Sequence, residues 1–390
     1  MDGLFSADSH ICEPTDVWTS RMPSRYADRA PRYLMEDGDI VGYIDGEERS
    51  RTPGKAFAAE VFPLDLDPAE RLRILAEDGI GGEAVLGNLM GVVVMSVEEP
   101  DFALACARAY NDWLAESFAS LGGRIVGHAY IPTCIEPELA VAEIERVADL
   151  GLRSVIVPLW PAEPYYLRKF DPVWDAAAAH RMPICMHAHT GRWFRQLMWQ
   201  DVPDPTIDGA SMLDDERDRH SVITAGGGFS LPQQGLQATR VSGWFIGSGA
   251  LERNPELNLV FLECGAAWML SAALWLDEVW YRLPGADRVE GTSQALLSNG
   301  TWPLPLQPSD YFRRQVHTTF QFEKFAVDLR DQIGLPNLMW GADVPHTEGT
   351  WPHTREITDQ LFGDIPEADA RALTGGTFAS LFGVDVGAFA

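Results

Sequence analysis

Histidines 187 and 189 follow the apolar run Ile184, Cys185 and Met186 in the stretch PICMHAHTG, Pro183 to Gly191. Alternate residues of a strand project from one face, so a strand continued through this run would aim both imidazoles the same way. Imidazole nitrogen is a ligand for zinc, iron, manganese and nickel. A short HxH pair can also be structural, so the other candidate donors matter. Asp8 and His10 repeat the alternate spacing in LFSADSHICEPTDVW, with Glu13 in the turn before Pro14. Glu263 ends another apolar run, and Asp343 with His346 ends a fourth, GADVPH. Asp8, Glu13, Glu263 and Asp343, together with His10, His187 and His189, exceed the three or four protein ligands of a single catalytic zinc. That surplus predicts two divalent metal ions. Carboxylates and imidazoles without thiolate suit iron or manganese at least as well as zinc.

Donors this far apart in the chain need a scaffold that gathers them. Leu4 to Ala7 reads as a first strand. Residues 20–62 are rich in Arg, Asp, Pro and Gly and form an excursion, with a possible hairpin around Ile40 to Glu48. Asp67 is a plausible N-cap with Pro68 in the first helical position, and Leu72, Leu75 and Ala76 share one face. Strands at Glu83 to Leu86, Ile125 to Ile131 and Ser154 to Val157 then alternate with helices at Ala103 to Leu121, Glu136 to Leu150 and Asp171 to His180. After the strand at Pro183 the rhythm breaks over 190–240, which holds Gly226, Gly227 and Gly228, and reads as a lid or subunit contact. It resumes with a helix at Gly243 to Asn254, a strand at Leu257 to Leu262 and a helix at Trp268 to Trp280. A second irregular insertion covers 282–308. Strands at Gln315 to Phe320 and Leu338 to Ala342, with helices between and after them, complete the chain. Strands alternating with helices imply right-handed crossovers and a parallel sheet. Eight such strands predict one (β/α)8 TIM barrel over residues 1–390, with the donors at the C-terminal strand ends where such barrels carry their chemistry.

Lys and Arg number 30 against 57 Asp and Glu, a formal charge of −27. That balance argues against nucleic acid or an anionic membrane as partner. Cys12, Cys106, Cys134, Cys185 and Cys264 are odd in number and contain no CxxC pair, as expected of reduced thiols. No leader precedes Asp8 and no apolar run reaches the roughly 20 residues of a membrane span, so a cytoplasmic location is the expectation. Thirteen tryptophans stand out. Trp160, Trp193, Phe194, Trp199, Trp244 and Trp302 fall in segments read as loops, where they would line a pocket for a bulky apolar small molecule or brace the loops. Arg192 would meet a substrate carboxylate or phosphate, or a surface acid. His317, inside a strand, reads as core, and the long loops suggest a homodimer.

The order of DxH on the first strand, His on the fifth and GADVPH on the eighth resembles the amidohydrolase superfamily. The branch is the one related to aminocarboxymuconate semialdehyde decarboxylase. AYNDWLAE at Ala109 to Glu116 and FLECGAAW at Phe261 to Trp268 extend the likeness. The resemblance implies Asp8, His10, His187 and Asp343 as metal ligands. Two departures are visible: the fourth strand, SVIVP, lacks the lysine that many relatives carry, and Glu263 stands where decarboxylases of the branch have histidine. With its carboxylate surplus the set also resembles the di-iron hydroxylases of diterpenoid biosynthesis. The first expectation is therefore a non-heme di-iron monooxygenase that uses molecular oxygen on an apolar, terpenoid-like substrate of secondary metabolism. The second is a metal-dependent hydrolase or decarboxylase in which Glu263 and His346 act as acid and base on chemistry at a metal-bound water.

Overall fold

The computed structural model describes residues 3–53, 67–118, 121–192, 233–282 and 304–389. Eight parallel strands lie side by side in chain order: β1 (Leu4–Ile11), β5 (Ile80–Gly87), β6 (Ile125–Tyr130), β7 (Ser154–Ile156), β8 (Ile184–His187), β9 (Leu259–Leu262), β10 (Val316–Phe320) and β11 (Leu338–Trp340). β8 and β9 read ICMH and LVFL and are buried throughout. Near-continuous apolar runs are what a parallel sheet demands when helices cover one face and the barrel core fills the other. The ring closes where the chain leaves β11: the Asp343 amide donates to Asp8 O at 2.8 Å, and the His10 amide to Val344 O at 2.6 Å. The result is a (β/α)8 barrel.

Helix starts follow the sequence closely. Asp67 accepts from the Ala69 amide at 2.9 Å and caps the helix Pro68–Glu77, as its position before Pro68 predicts. Pro137 and Pro172 likewise open Pro137–Asp149 and Asp171–Ala179. Other boundaries move. The first strand runs to Ile11, four residues beyond its expected end, because Ser9, His10 and Ile11 are themselves paired with β5. The excursion after β1 holds a three-stranded antiparallel sheet, β2 (Arg32–Glu36), β3 (Asp39–Ile44) and β4 (Glu47–Pro53), where only a hairpin was expected. The helix expected to begin at Gly243 is already formed at 233, the first described residue of this stretch, and Gly249, at φ +76, separates it from Ala250–Arg253. The rest of the expected 190–240 insertion beyond residue 192, and 283–303 of the other, lie outside the described residues.

A buried ion pair sits beside the closure. Arg71 reaches from its helix to Glu83 on β5, with Nε 2.5 Å from Oε1 and Nη2 2.9 Å from Oε2; Nη2 also donates to Val344 O at 3.4 Å. Both side chains are almost wholly excluded from water. Removing one partner of such a pair strands a buried charge, which costs about 3–5 kcal/mol. Arg71→Met is expected to lower unfolding free energy by that amount in denaturant titrations. A change below about 1 kcal/mol would remove this pair from the closure.

Candidate metal and acid-base site

At the C-terminal rim of the barrel, strand ends deliver carboxylates and imidazoles into one small volume. Asp8 and His10 come from β1, His187 from the last residue of β8, Glu263 from just past β9 and Asp343 from just past β11. His10 Nε2 lies 3.1 Å from Asp343 Oδ1, and His187 Nε2 lies 3.7 Å from Asp8 Oδ1 and 3.1 Å from Glu263 Oε2. Asp8, His10 and His187 offer ligand atoms all within 4.8 Å of one another, and so do His10, Asp343 and His346. The rings of His10 and His187 meet edge to face, with centroids 4.9 Å apart.

Backbone conformation helps aim these groups. Glu263 and Asp343 adopt φ of +53° and +55°. For residues other than glycine this conformation costs on the order of 1–3 kcal/mol, and it recurs where function fixes a side chain. Gly341 is required for a different reason, since a Cβ there would stand 2.7 Å from the Asp8 Cβ. His187 Nδ1 lies 2.7 Å from Ala188 O, which assigns the proton to Nδ1 and leaves the Nε2 lone pair facing the acids. Thr319 on β10 donates to Asp8 Oδ2 at 2.9 Å and accepts from the Glu263 amide at 2.8 Å. Asn88, past β5, holds His346 Nε2 at 2.9 Å, while His346 Nδ1 is 3.0 Å from Asp343 Oδ1.

Burial sets the charges. It raises the Asp8 carboxyl to about 8, with Asp343 adding repulsion. Burial and Asp343 also push Glu263 well above the usual carboxylate range. Asp343 is the exception: burial pushes it up, but His346 and His10 more than offset this and hold it ionised. His10 is pushed down to about 4 by burial and His346, and His187 falls well below the ordinary imidazole value by burial and His10. Burial opposes charge on His346, yet Asp343 raises it to about 9.

Asp8 Oδ1, both ring nitrogens of His10, His187 Nε2 and both oxygens of Asp343 are buried without a hydrogen-bond partner. Lone pairs converging in this way, from oxygen and imidazole donors, fit a divalent cation. The four residues that the resemblance singled out are therefore brought together, with Glu263 and His346 beside them.

Two further expected ligands, Glu13 and His189, fall outside both donor groups. Glu13 is buried below the site, where its carboxylate accepts the amides of Leu89 at 2.9 Å, Met90 at 3.0 Å and Gly91, capping the helix Gly91–Val94. β8 ends at His187 and His189 turns to φ +60°, so the strand alternation that would align the two histidines is lost. His189 belongs to neither donor group.

The aromatic expectations also change. Trp160 Nε1 donates to Gln234 Oε1 at 3.1 Å, and Trp244 packs edge-on against Tyr166 at 5.8 Å under the Arg240 guanidinium. Both brace the helical stretch from 233 to the loop after β7. Arg192 pairs with Glu98 at 2.7 Å. Trp193, Phe194, Trp199 and Trp302 lie outside the described residues. His317 is core, bonded to Pro336 O and Asn258 Oδ1, and Cys185 and Cys264 are buried free thiols. Thr319 and Asn88 went unnoticed in the sequence, although each sits on or just past a barrel strand. No described helix is long and apolar enough to cross a membrane.

The family model described as amidohydrolase matches residues 63–384. Gamma-resorcylate decarboxylase from Polaromonas sp. (strain JS666) is 23% identical over 324 residues, which span 80% of this chain and 86% of that protein. The crystal structure of an amidohydrolase from Mycobacterium avium subsp. paratuberculosis K-10 superposes with a TM-score of 0.71 at 19% identity, covering 98% of each chain. A dihydroxybenzoic acid decarboxylase from Polaromonas sp. JS666, solved with bound manganese and the inhibitor 2-nitroresorcinol, superposes at 0.60 with 20% identity, covering 98% of this chain and 97% of that one. These names overturn the expectation of an oxidoreductase. Relatives called decarboxylases, one of them holding manganese, leave a di-iron, oxygen-using hydroxylase of terpenoid biosynthesis without support.

Cation binding must displace the proton that burial and Asp343 keep on Asp8 up to about 8, while His10, pushed down to about 4, is already free to coordinate. Apparent affinity for manganese should therefore climb between pH 6 and 8, by up to about tenfold per pH unit for each proton released, and level off above that range. Titration calorimetry in buffers of different ionisation enthalpy reads both quantities. An affinity flat across this range, with no proton release, would contradict the assignment.

Proposed function

This chain belongs to the amidohydrolase family, and on that premise we propose that it is a metal-dependent, non-oxidative decarboxylase of aromatic carboxylic acids. One observation carries the reading. The buried donor set Asp8, His10, His187 and Asp343 has beside it a carboxyl group, Glu263, that burial and Asp343 hold in its protonated form. The decarboxylase names of the relatives support the same reaction class.

Asp8, His10, His187 and Asp343 would hold a divalent ion, manganese being the one a related structure binds. When bound, it would supply a Lewis-acid anchor for substrate oxygens and neutralise the acids around it. Losing carbon dioxide from an aromatic carboxylate requires a proton at the ring carbon that bears the carboxyl group. Glu263 is the group placed to deliver it: its side chain is 16% exposed and faces the cavity beside the site, and burial pushes its carboxyl well above the usual carboxylate range. The carbon–carbon bond then breaks, its electron pair returns to the ring, carbon dioxide departs, and Glu263 regains a proton from water. No oxidant or reductant enters the balance. Ala188 O, which accepts from His187 Nδ1, keeps His187 Nε2 turned toward the donor cluster, and Thr319, which accepts the Glu263 amide at 2.8 Å, fixes the backbone from which that carboxyl projects. His346 is a positioning residue, tying Asp343 to Asn88.

Carbon dioxide release from 2,6-dihydroxybenzoate and 5-carboxyvanillate by manganese-loaded protein, with and without oxygen, tests this. Equal rates in air and under nitrogen are expected. Glu263→Gln should lower kcat about 10²–10⁴-fold while bound metal stays constant. Wild-type activity should fall as pH rises through the raised pKa of Glu263, because the proton donor is then lost. Oxygen consumption coupled to turnover, or a fully active Glu263→Gln, would sink the proposal.

A further inference from the structure

Beside the donor cluster the barrel opens into a cavity of about 780 Å³. Glu263 and Thr319 belong to its wall as well as to the site, so the space is continuous with the reacting position. The rest of its lining comes from the helical stretch described from 233 onward, from the turn after β9 and the start of the helix Ala267–Arg282, and from the end of β10 with the segment that follows it. Apolar side chains dominate: Leu236, Trp268, Phe320, Phe322 and Phe325. Three of these, Leu236, Phe322 and Phe325, remain 69%, 47% and 39% exposed, an arrangement soluble proteins keep where a ligand covers the surface.

Size and charge restrict the occupant. A benzene-sized ring fills a cavity of about 150 Å³. A dihydroxybenzoate would therefore leave most of the 780 Å³ to water. No Lys, Arg or His is found among the described residues of the lining, whereas Glu263 and Glu323 both face it. The Glu323 carboxyl is held by the Gln321 amide at 2.6 Å, and no Lys, Arg or His among the described residues pairs with it. Phosphates, thioesters of phosphorylated carriers and second carboxylates would meet two acids and no counter-charge.

We propose that the substrate is an aromatic carboxylic acid extended by an uncharged apolar substituent, an alkyl chain or a further ring, which this cavity houses. The inference rests on the decarboxylase reading and names the substrate class of that same site. The carboxyl end belongs at the donor cluster, the ring beside Glu263 and Thr319, and the substituent against Trp268 and the phenylalanines.

Binding separates this claim from the chemistry. Manganese-loaded protein is titrated with 2-hydroxybenzoates that carry hydrogen, butyl, octyl or carboxyheptyl at ring position 4 or 5, and carbon dioxide release is followed in parallel. Each buried methylene tightens binding by up to about fourfold, so the butyl compound should bind roughly tenfold or more tighter than the parent, and octyl tighter still. The carboxyheptyl compound should lose that gain. Thr239→Trp and Ser271→Trp each place an indole in the cavity, and either should collapse the octyl-to-parent affinity ratio toward one. Melting temperature identifies a variant that fails to fold. Affinity independent of chain length, or a ratio that survives in the folded variants, overturns the proposal. Chain-length-dependent binding without carbon dioxide release supports the cavity's occupant and instead defeats the decarboxylase reading.

Discussion

Like charges crowded together away from water dominate this molecule. Asp8, Asp343 and Glu263 converge on two histidines at the barrel rim, and in such surroundings a pair of carboxylates cannot both ionise cheaply. The acids answer by dividing the work: Asp343 stays charged against His346 and His10, while Asp8 and Glu263 keep their protons. The imidazoles of His10 and His187 are kept neutral by the same burial. A divalent cation would favour ionised carboxylate on Asp8 and Asp343 together with neutral imidazole on His10 and His187. Folding has thus gathered a donor set whose chemistry suits a divalent metal.

Holding that arrangement falls to the closure of the barrel. The amide of Asp343 donates to the carbonyl of Asp8, so two of the candidate ligands are joined through the last hydrogen bonds of the ring. Arg71 and Glu83 sit beside the same seam, and Gly341 lets β1 approach closely enough for Asp8 to enter. Glu13 contributes by organising the loop after β5 through three backbone amides, and the neighbouring Asn88 then steadies His346. A residue with ligand chemistry has here become a structural brace because the amides of a helix start reached it first.

How far the sequence discloses this depends on the range of the interaction. Strand order, helix starts at Pro68, Pro137 and Pro172, and the meeting of Asp8, His10, His187 and Asp343 were legible, because periodicity and capping are local and a parallel barrel gathers strand ends by its topology. The local turn at His189 was not, since one left-handed residue past β8 ends the strand alternation and leaves no mark in composition. Glu13 misled for the opposite reason: its partners, Leu89 to Gly91, lie far along the chain and offer only main-chain amides. Trp160 and Trp244 proved to stitch segments together, whereas the apolar wall at the site comes from Trp268, Phe320, Phe322 and Phe325 on elements read as plain scaffold. The surplus of acids suggested oxygen chemistry. Burial explains it better, since Glu13 caps a helix and Glu263 is kept protonated.

A crystal soaked in manganese and measured for anomalous scattering addresses the central claim without reference to turnover. One strong peak is predicted at the rim of the barrel, about 2.0–2.3 Å from oxygens of Asp8 and Asp343 and from nitrogens of His10 and His187. A peak bonded to other side chains, or none at saturating metal, would contradict it.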